Sequence, residues 1–245
     1  MKIVAPSQLK VKAALFTVLC VILAGITVGS RVATMQNSVD ASAKSLGEYT
    51  VIVDAGHGGI DGGTSAADGT PEKTLNLQIA EKLHLMLNAM GVKAVMTRSG
   101  DDSIHDPSAV TIRQKKISDI KNRLKIMQNT DNAVFVSIHQ NHFGDSKYHG
   151  TQVFYSKNDP GSKTLAENIR AQIITNLQKD NTREVKQSGT EIYLLYHAEV
   201  PAVMVECGFL SNAEETAKLK DESYQRELAF LTALGVVEYL NDSEA

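Results

Sequence analysis

Residues 133–142 read AVFVSIHQNH, a stretch that is apolar except for Ser137 until it meets a polar ending with two imidazoles. A run without the in-and-out alternation of a half-solvated strand is expected of a strand covered on both faces, as in parallel sheets flanked by helices. Two similar runs lie far off in the chain, TVIVDA (50–55) and AVMVE (202–206). Between them, apolar residues recur at three- and four-residue spacing. Leu75, Ile79, Leu83, Met86, Leu87 and Met90 mark a helix over 72–90 that Gly91 closes, and Ile117, Ile120, Leu124 and Met127 mark another over 112–129. Leu165, Ile169, Ile173 and Leu177 form a third such series, and Leu228, Leu231, Leu234 and Val237 a fourth, within 224–240. VKAVMT (92–97), GTQVFYS (150–156) and EIYLL (191–195) are the other expected strands, and Ser211 with Glu214 has the spacing of a capping box. The alternation predicts an α/β fold: a mostly parallel twisted sheet with helices on both faces, in one domain.

The composition agrees. Of 245 residues, 42% are apolar and 22% charged, an ordinary globular mixture. The formal charge is −3, but residues 41–245 hold 21 basic against 27 acidic groups, a net −6. An acidic body argues against nucleic acid as a partner, which would call for a basic face. Two cysteines, Cys20 and Cys207, are too few for a disulfide framework or a four-thiolate metal site.

Cys20 lies in AALFTVLCVILAGITV (13–28), an uncharged run preceded by Lys2, Lys10 and Lys12 and followed by Arg31. That is an export segment, either a cleaved signal peptide or an uncleaved membrane anchor, and its basic end should stay cytoplasmic. The expected organisation is export segment 1–30, polar linker 31–48, and a folded domain over 49–241 on the outer side of the cytoplasmic membrane or in the space beyond it.

In open α/β sheets, ligands bind beyond the carboxyl ends of the strands. There the sequence places Asp54-Ala55-Gly56-His57-Gly58-Gly59, His139-Gln140-Asn141-His142, and Glu206. Glu72 opens the first helix after a Gly-, Ser- and Asp-rich loop that returns it to the same edge. Two imidazoles and a carboxylate are the ligand set of an open catalytic zinc site, and a second carboxylate off the metal can serve as general base. The residues alone do not say whether Glu72 or Glu206 is the ligand. No HExxH helix is present, which separates this arrangement from thermolysin-type enzymes.

These residues sit in ordered motifs: VDAGHGGIDGG (53–63), Glu72-Lys73, Thr97-Arg98, SIHQN (137–141) and PAVMVECGFLSN (201–212). Together they resemble the zinc-dependent N-acetylmuramoyl-L-alanine amidases whose catalytic domain begins with a DPGHGG-type motif, and especially the sporulation-type members. The resemblance spans about 50–240. It implies His57, Glu72 and His139 as zinc ligands and Glu206 as the catalytic glutamate. It also implies a hydrolase cutting the amide between the muramic acid lactyl group and L-alanine in peptidoglycan, with a role in spore cortex maturation or germination. Ala55 replaces the usual proline, and Gln140 and His142 are departures expected to shape the groove rim.

The rival readings are a catalytically silent peptidoglycan-binding module and a zinc peptidase acting on stem peptides. The expected partners are peptidoglycan, the membrane through an uncleaved N-terminal segment, and an activating or localising protein. Cys207 is expected to be a buried structural thiol pointing away from Glu206, because side chains alternate along a strand. Arg98 is expected to anchor a loop by pairing with Asp101 or Asp102. His142, His149 and His197 are expected to be ordinary loop groups.

Overall fold

The computed structural model describes residues 46–242. The expected export segment, and the linker up to residue 45, lie outside the described residues. Among the described residues the elements run β1 (Thr50–Ala55), α1 (Glu72–Ala89), β2 (Lys93–Met96), α2 (Ile112–Gln128), β3 (Ala133–Asn141), β4 (Gln152–Tyr155), α3 (Gly161–Asn176), β5 (Lys186–Gln187), α4 (Tyr193–His197), β6 (Ala202–Phe209), α5 (Ala213–Lys220) and α6 (Glu222–Asp242). No helix among them is long and apolar enough to cross a membrane.

The strands form a sheet in the order β2-β1-β3-β6-β4-β5. β2, β1, β3 and β6 are mutually parallel, whereas β4 pairs antiparallel with β6 and parallel with β5. From β1 the chain steps outward to β2 and then back across to β3 on the other flank. Right-handed crossovers in opposite directions place α1 and α2 on opposite faces, and they leave a crevice where β1 and β3 part.

Side-chain alternation divides the core accordingly. Val51, Val53, Val134, Val136, Ile138, Val203 and Val205 face one layer, where α1, α3 and α6 contribute Leu75, Ile79, Leu165, Ile169, Leu228 and Val236. Ile52, Phe135, Ala202 and Met204 face the other, against Met127 of α2 and Leu194 and Leu195 of α4. Each central strand is thus covered twice, which is why 133–138 needed no polar face.

Three expectations are corrected. The run 191–195 is not a strand: α4 occupies Tyr193–His197, and the pairing with β4 is made earlier by Lys186–Gln187. Adjacent Leu194 and Leu195 are both buried, which a helical turn tucked under the sheet permits and a strand with one covered face does not. The cap of α5 is Asn212 rather than Ser211; its side chain accepts from the Glu214 and Glu215 amides. Ile117 is 44% exposed. Ile120, one turn later, still packs against the core, whereas Ile117 lies beyond it, toward the helix start that overhangs the sheet edge.

That edge is held by a buried pair. Arg123 Nη1 lies 2.6 Å from Asp54 Oδ1 and donates also to the Ala55 carbonyl, while Nη2 donates to the His57 carbonyl. Asp54 accepts from Thr97 Oγ1 at the end of β2 and from Ser137 Oγ of β3. Burial alone would push the Asp54 carboxyl up, but Arg123 and the two hydroxyls outweigh it and hold it below the usual carboxylate range. Removing one partner of a fully buried pair strands the other charge, which costs about 3–5 kcal/mol. Asp54→Asn should therefore lose stability of that order in denaturant unfolding at pH 7. A carboxyl whose folded value is lowered contributes above the unfolded value of about 4 and stops contributing as pH falls through the folded value. The gap between wild type and Asp54→Asn should accordingly narrow as pH drops below about 4.

Candidate metal centre

The β1–α1 loop turns at once after the strand. His57 takes a left-handed backbone (φ 62°), and a tight hairpin follows in which Gly58 and Asp61 exchange both backbone hydrogen bonds. A left-handed conformation in a non-glycine residue costs on the order of 1–3 kcal/mol and persists only where its surroundings fix it. Arg123 on the His57 carbonyl and Lys73 on the Gly59 carbonyl supply that fixation. Gly56 is needed for close approach: a Cβ there would collide with the His139 ring. Gly63 (φ 67°) is needed twice, for its backbone and because a Cβ would strike the Glu72 carboxylate.

No side chain among the described residues caps α1. The Glu72 and Lys73 amides are satisfied instead by the Thr64 and Gly62 carbonyls, which folds the loop over the helix start and leaves the Glu72 carboxylate for the site. That carboxylate is 3% exposed as a residue and receives five polar contacts. Its Oε2 is 3.3 Å from His57 Nε2 and accepts from the Thr64 amide, while its Oε1 is 2.9 Å from His139 Nδ1 and accepts from Asn76 Nδ2 and the Gln140 amide. The two imidazoles meet edge to face with ring centroids 4.9 Å apart. One donor atom from each of His57, Glu72 and His139 lies within 4.8 Å of the others, a cluster suited to a metal ion. Burial would push the Glu72 carboxyl up, yet His139 and His57 bring it well below the ordinary range. His57 is raised to about 9, against the effect of burial, by Asp61 and Glu72.

Glu206 stands opposite His139 in the β3–β6 ladder, on the same face of the sheet. Its Oε2 is buried and has no hydrogen-bond partner among the described residues. Burial, with Glu72 adding to it and His139 and His57 opposing, pushes its carboxyl up to about 7. A buried carboxyl oxygen without a partner is costly, and a value near neutrality is what general acid–base work requires. The structure thus brings the four residues picked from the sequence to one edge, three in mutual contact and Glu206 beside His139.

Sequence reasoning missed the supports. Asp61 Oδ2 is 2.9 Å from His57 Nδ1, and its other oxygen is 2.7 Å from Lys116 of α2. Asn76, one turn after Glu72, bridges Glu72 to the Gly56 carbonyl and accepts from Gln140 Nε2. The i+4 spacing of both Asp61 and Asn76 from a site residue was the available signal. Arg98 does not pair with Asp101 or Asp102: it donates to the Ala55, Gly56, Lys73 and Gly100 carbonyls, and Asp101 binds Lys73 instead. Gln140 is buried beneath the site rather than at the rim, whereas His142, His149 and His197 are exposed.

Beside the cluster a groove of about 420 Å³ runs between α2 and the 191–194 segment, with Ile120, Tyr193, Leu194 and Met204 among its lining. Cys207 faces the opposite layer of the sheet, and burial pushes its thiol far above the usual range. It is therefore a poor nucleophile. Alkylation followed on the peptide carrying Cys207 should show protection in the native protein and full labelling after unfolding.

The profile of the N-acetylmuramoyl-L-alanine amidases matches residues 51–238. The germination-specific N-acetylmuramoyl-L-alanine amidase of Bacillus subtilis is 29% identical over 192 residues, covering 78% of this chain and 80% of that one. The CwlD amidase from Clostridioides difficile, solved in complex with the GerS lipoprotein, superposes with a TM-score of 0.75 at 42% identity, over 78% of this chain and 98% of that one. The amidase AmiC2 of Nostoc punctiforme superposes with a TM-score of 0.68 at 29% identity, over 79% and 98% of the two chains.

Proposed function

The chain belongs to the N-acetylmuramoyl-L-alanine amidase family, and from that premise we propose that His57, Glu72 and His139 hold a zinc ion beside which Glu206 acts as general base. The observation that carries this reading is the pairing of a three-donor cluster with a carboxylate on the neighbouring strand whose buried Oε2 has no hydrogen-bond partner among the described residues. The donor set fits zinc, which takes imidazole and carboxylate ligands and in catalytic sites keeps a position open. Zinc held there supplies Lewis acidity toward the scissile carbonyl and toward water.

The chain's own residues do the rest. Asp61 fixes the tautomer and orientation of His57 by accepting from Nδ1, a role that outer carboxylates commonly play for ligating histidines. Asn76 and the Thr64 and Gln140 amides set the Glu72 carboxylate in place. Glu206 takes the proton from the attacking water and returns it to the leaving amine of L-alanine, for which its raised proton affinity equips it. The groove between α2 and α4 receives the substrate, the amide that joins the muramic acid lactyl group to the peptide of peptidoglycan.

The same reading places the enzyme outside the cytoplasm, carried there by the apolar run 13–28 and retained at the membrane if that run is uncleaved. A role in the spore wall is supported by the germination-specific relative. The capture of one relative with a lipoprotein supports a protein partner.

Purified peptidoglycan incubated with the zinc-loaded chain should release intact stem peptides beginning with L-alanine, identified by mass, and a chelator should stop the release. Shortened stems would indicate a peptidase and no release a binding module; either result overturns the assignment. Glu206→Gln should retain zinc while the rate falls at least ~100-fold, the scale of a lost general base. Asp61→Asn should weaken zinc, measured by chelator competition, by about 10- to 100-fold with the fold intact.

A further inference from the structure

On the far side of Glu206 from the groove, the same face of the sheet opens into a second cavity of about 400 Å³. Gln152 links Glu206 to this cavity. It stands opposite Glu206 in the antiparallel β4–β6 ladder, where facing Cβ atoms lie roughly 5 Å apart, and it lines the cavity. Tyr148, Arg183 and Lys186 form further parts of the wall.

Arg183 is set as a receptor rather than as a solvated surface charge. Its guanidinium lies 4.5 Å from the Phe209 ring centroid and 5.9 Å from that of Tyr148, and its Nε donates to the His149 carbonyl at 2.7 Å. Stacking plus that hydrogen bond fixes the plane of the group and leaves both terminal nitrogens without a hydrogen-bond partner among the described residues. A planar, immobilised guanidinium with a free fork matches a carboxylate with little further loss of freedom. Lys186 adds a second cation with no ion-pair partner among the described residues, while Lys147 pairs with Asp145. Of the two acids in the wall, Glu184 is engaged by Arg170 and Asp180 is exposed.

The groove on the other side of the metal cluster is different. Its Lys116 and Arg123 are committed to Asp61, Asp54 and Asp119, its imidazoles His57 and His139 to Asp61 and Glu72, and Glu191 adds a further acid. An anion entering there meets no uncommitted cation among the described residues.

The reading that follows rests on the proposed hydrolysis. The two halves of the substrate differ in charge: the sugar strand is uncharged near the bond because its lactyl carboxyl is in the amide, whereas the peptide carries at least its C-terminal carboxylate. We propose that the cavity beyond Gln152 is the peptide subsite, where Arg183, assisted by Lys186, binds a carboxylate of the stem, and that the groove lined by Ile120, Tyr193 and Met204 takes the sugar side. The orientation of the substrate across Glu206 is thereby fixed.

Binding of a soluble stem peptide beginning with L-alanine to the zinc-loaded full chain, measured by calorimetry, tests this apart from catalysis. The free-acid peptide should bind about 10- to 100-fold more tightly than the same peptide with every carboxylate amidated, as expected for a charge-assisted pair. Arg183→Gln should erase that preference while leaving the amidated peptide's Kd unchanged, and Lys186→Ala should reduce it less. Equal binding of the two peptides by the wild type, which needs no variant to fold, overturns the proposal, as does a preference that survives in Arg183→Gln. A chain that cleaves peptidoglycan yet binds both peptides alike sinks this subsite alone. One that shows the Arg183-dependent preference without cleaving keeps the subsite and sinks the hydrolysis.

Discussion

The ion pair between Asp54 and Arg123 is the constraint on which the site depends. It is the point where three strands and a helix are fastened together: Asp54 ends β1, Thr97 follows β2, Ser137 lies in β3, and Arg123 comes from α2. The same guanidinium holds the His57 carbonyl, so the strained loop that presents the imidazole is tied to the most buried charge of the sheet. A buried pair of this kind is weak as a net source of stability and strong as a source of geometry, because every alternative arrangement leaves a charge without a partner. Arg98 repeats the device one layer out, with four backbone carbonyls bound by one side chain.

Within that frame the acidic groups of the site are pushed in opposite directions. Glu72 is surrounded by imidazoles and amide donors and is held ionised, whereas Glu206, at the same edge, has no donor to its buried Oε2 among the described residues and keeps its proton more tightly. Two carboxylates of the same chemistry are thus given opposite proton affinities by environment alone. Residue type and position alone left the two interchangeable, since both are glutamates at the same sheet edge, and only the family resemblance separated them; in the structure the difference lies in which one the surrounding amides reach.

Most of the architecture was legible because it is written in local pattern. The doubly covered strands at 50–55 and 133–138 and the helices at 72–89 and 112–128 follow from runs and periods that packing rewarded. What escaped notice depends on partners far away in sequence. Whether Arg98 would meet a neighbouring aspartate or a set of carbonyls was decided by where Ala55 and Gly56 end up, 43 and 42 residues earlier. The segment 191–195 had a strand's composition, but its place next to β4 was already filled by Lys186–Gln187, and tertiary packing overrode propensity. Ile117 kept the helical period past the point where the sheet beneath it ends.

The reversal of β4 has a further implication. Because β4 runs against β6, the connection from β3 into it, residues 142–151, starts and ends at the same edge as the His57, Glu72 and His139 cluster but contributes none of the four central groups. Its length and composition can drift without moving His139 or Glu206, which are pinned by the ladder itself. Selection can therefore retune which polymers such an enzyme accommodates while the reactive centre stays unchanged, a separation of recognition from chemistry that originates in the direction of a single four-residue strand.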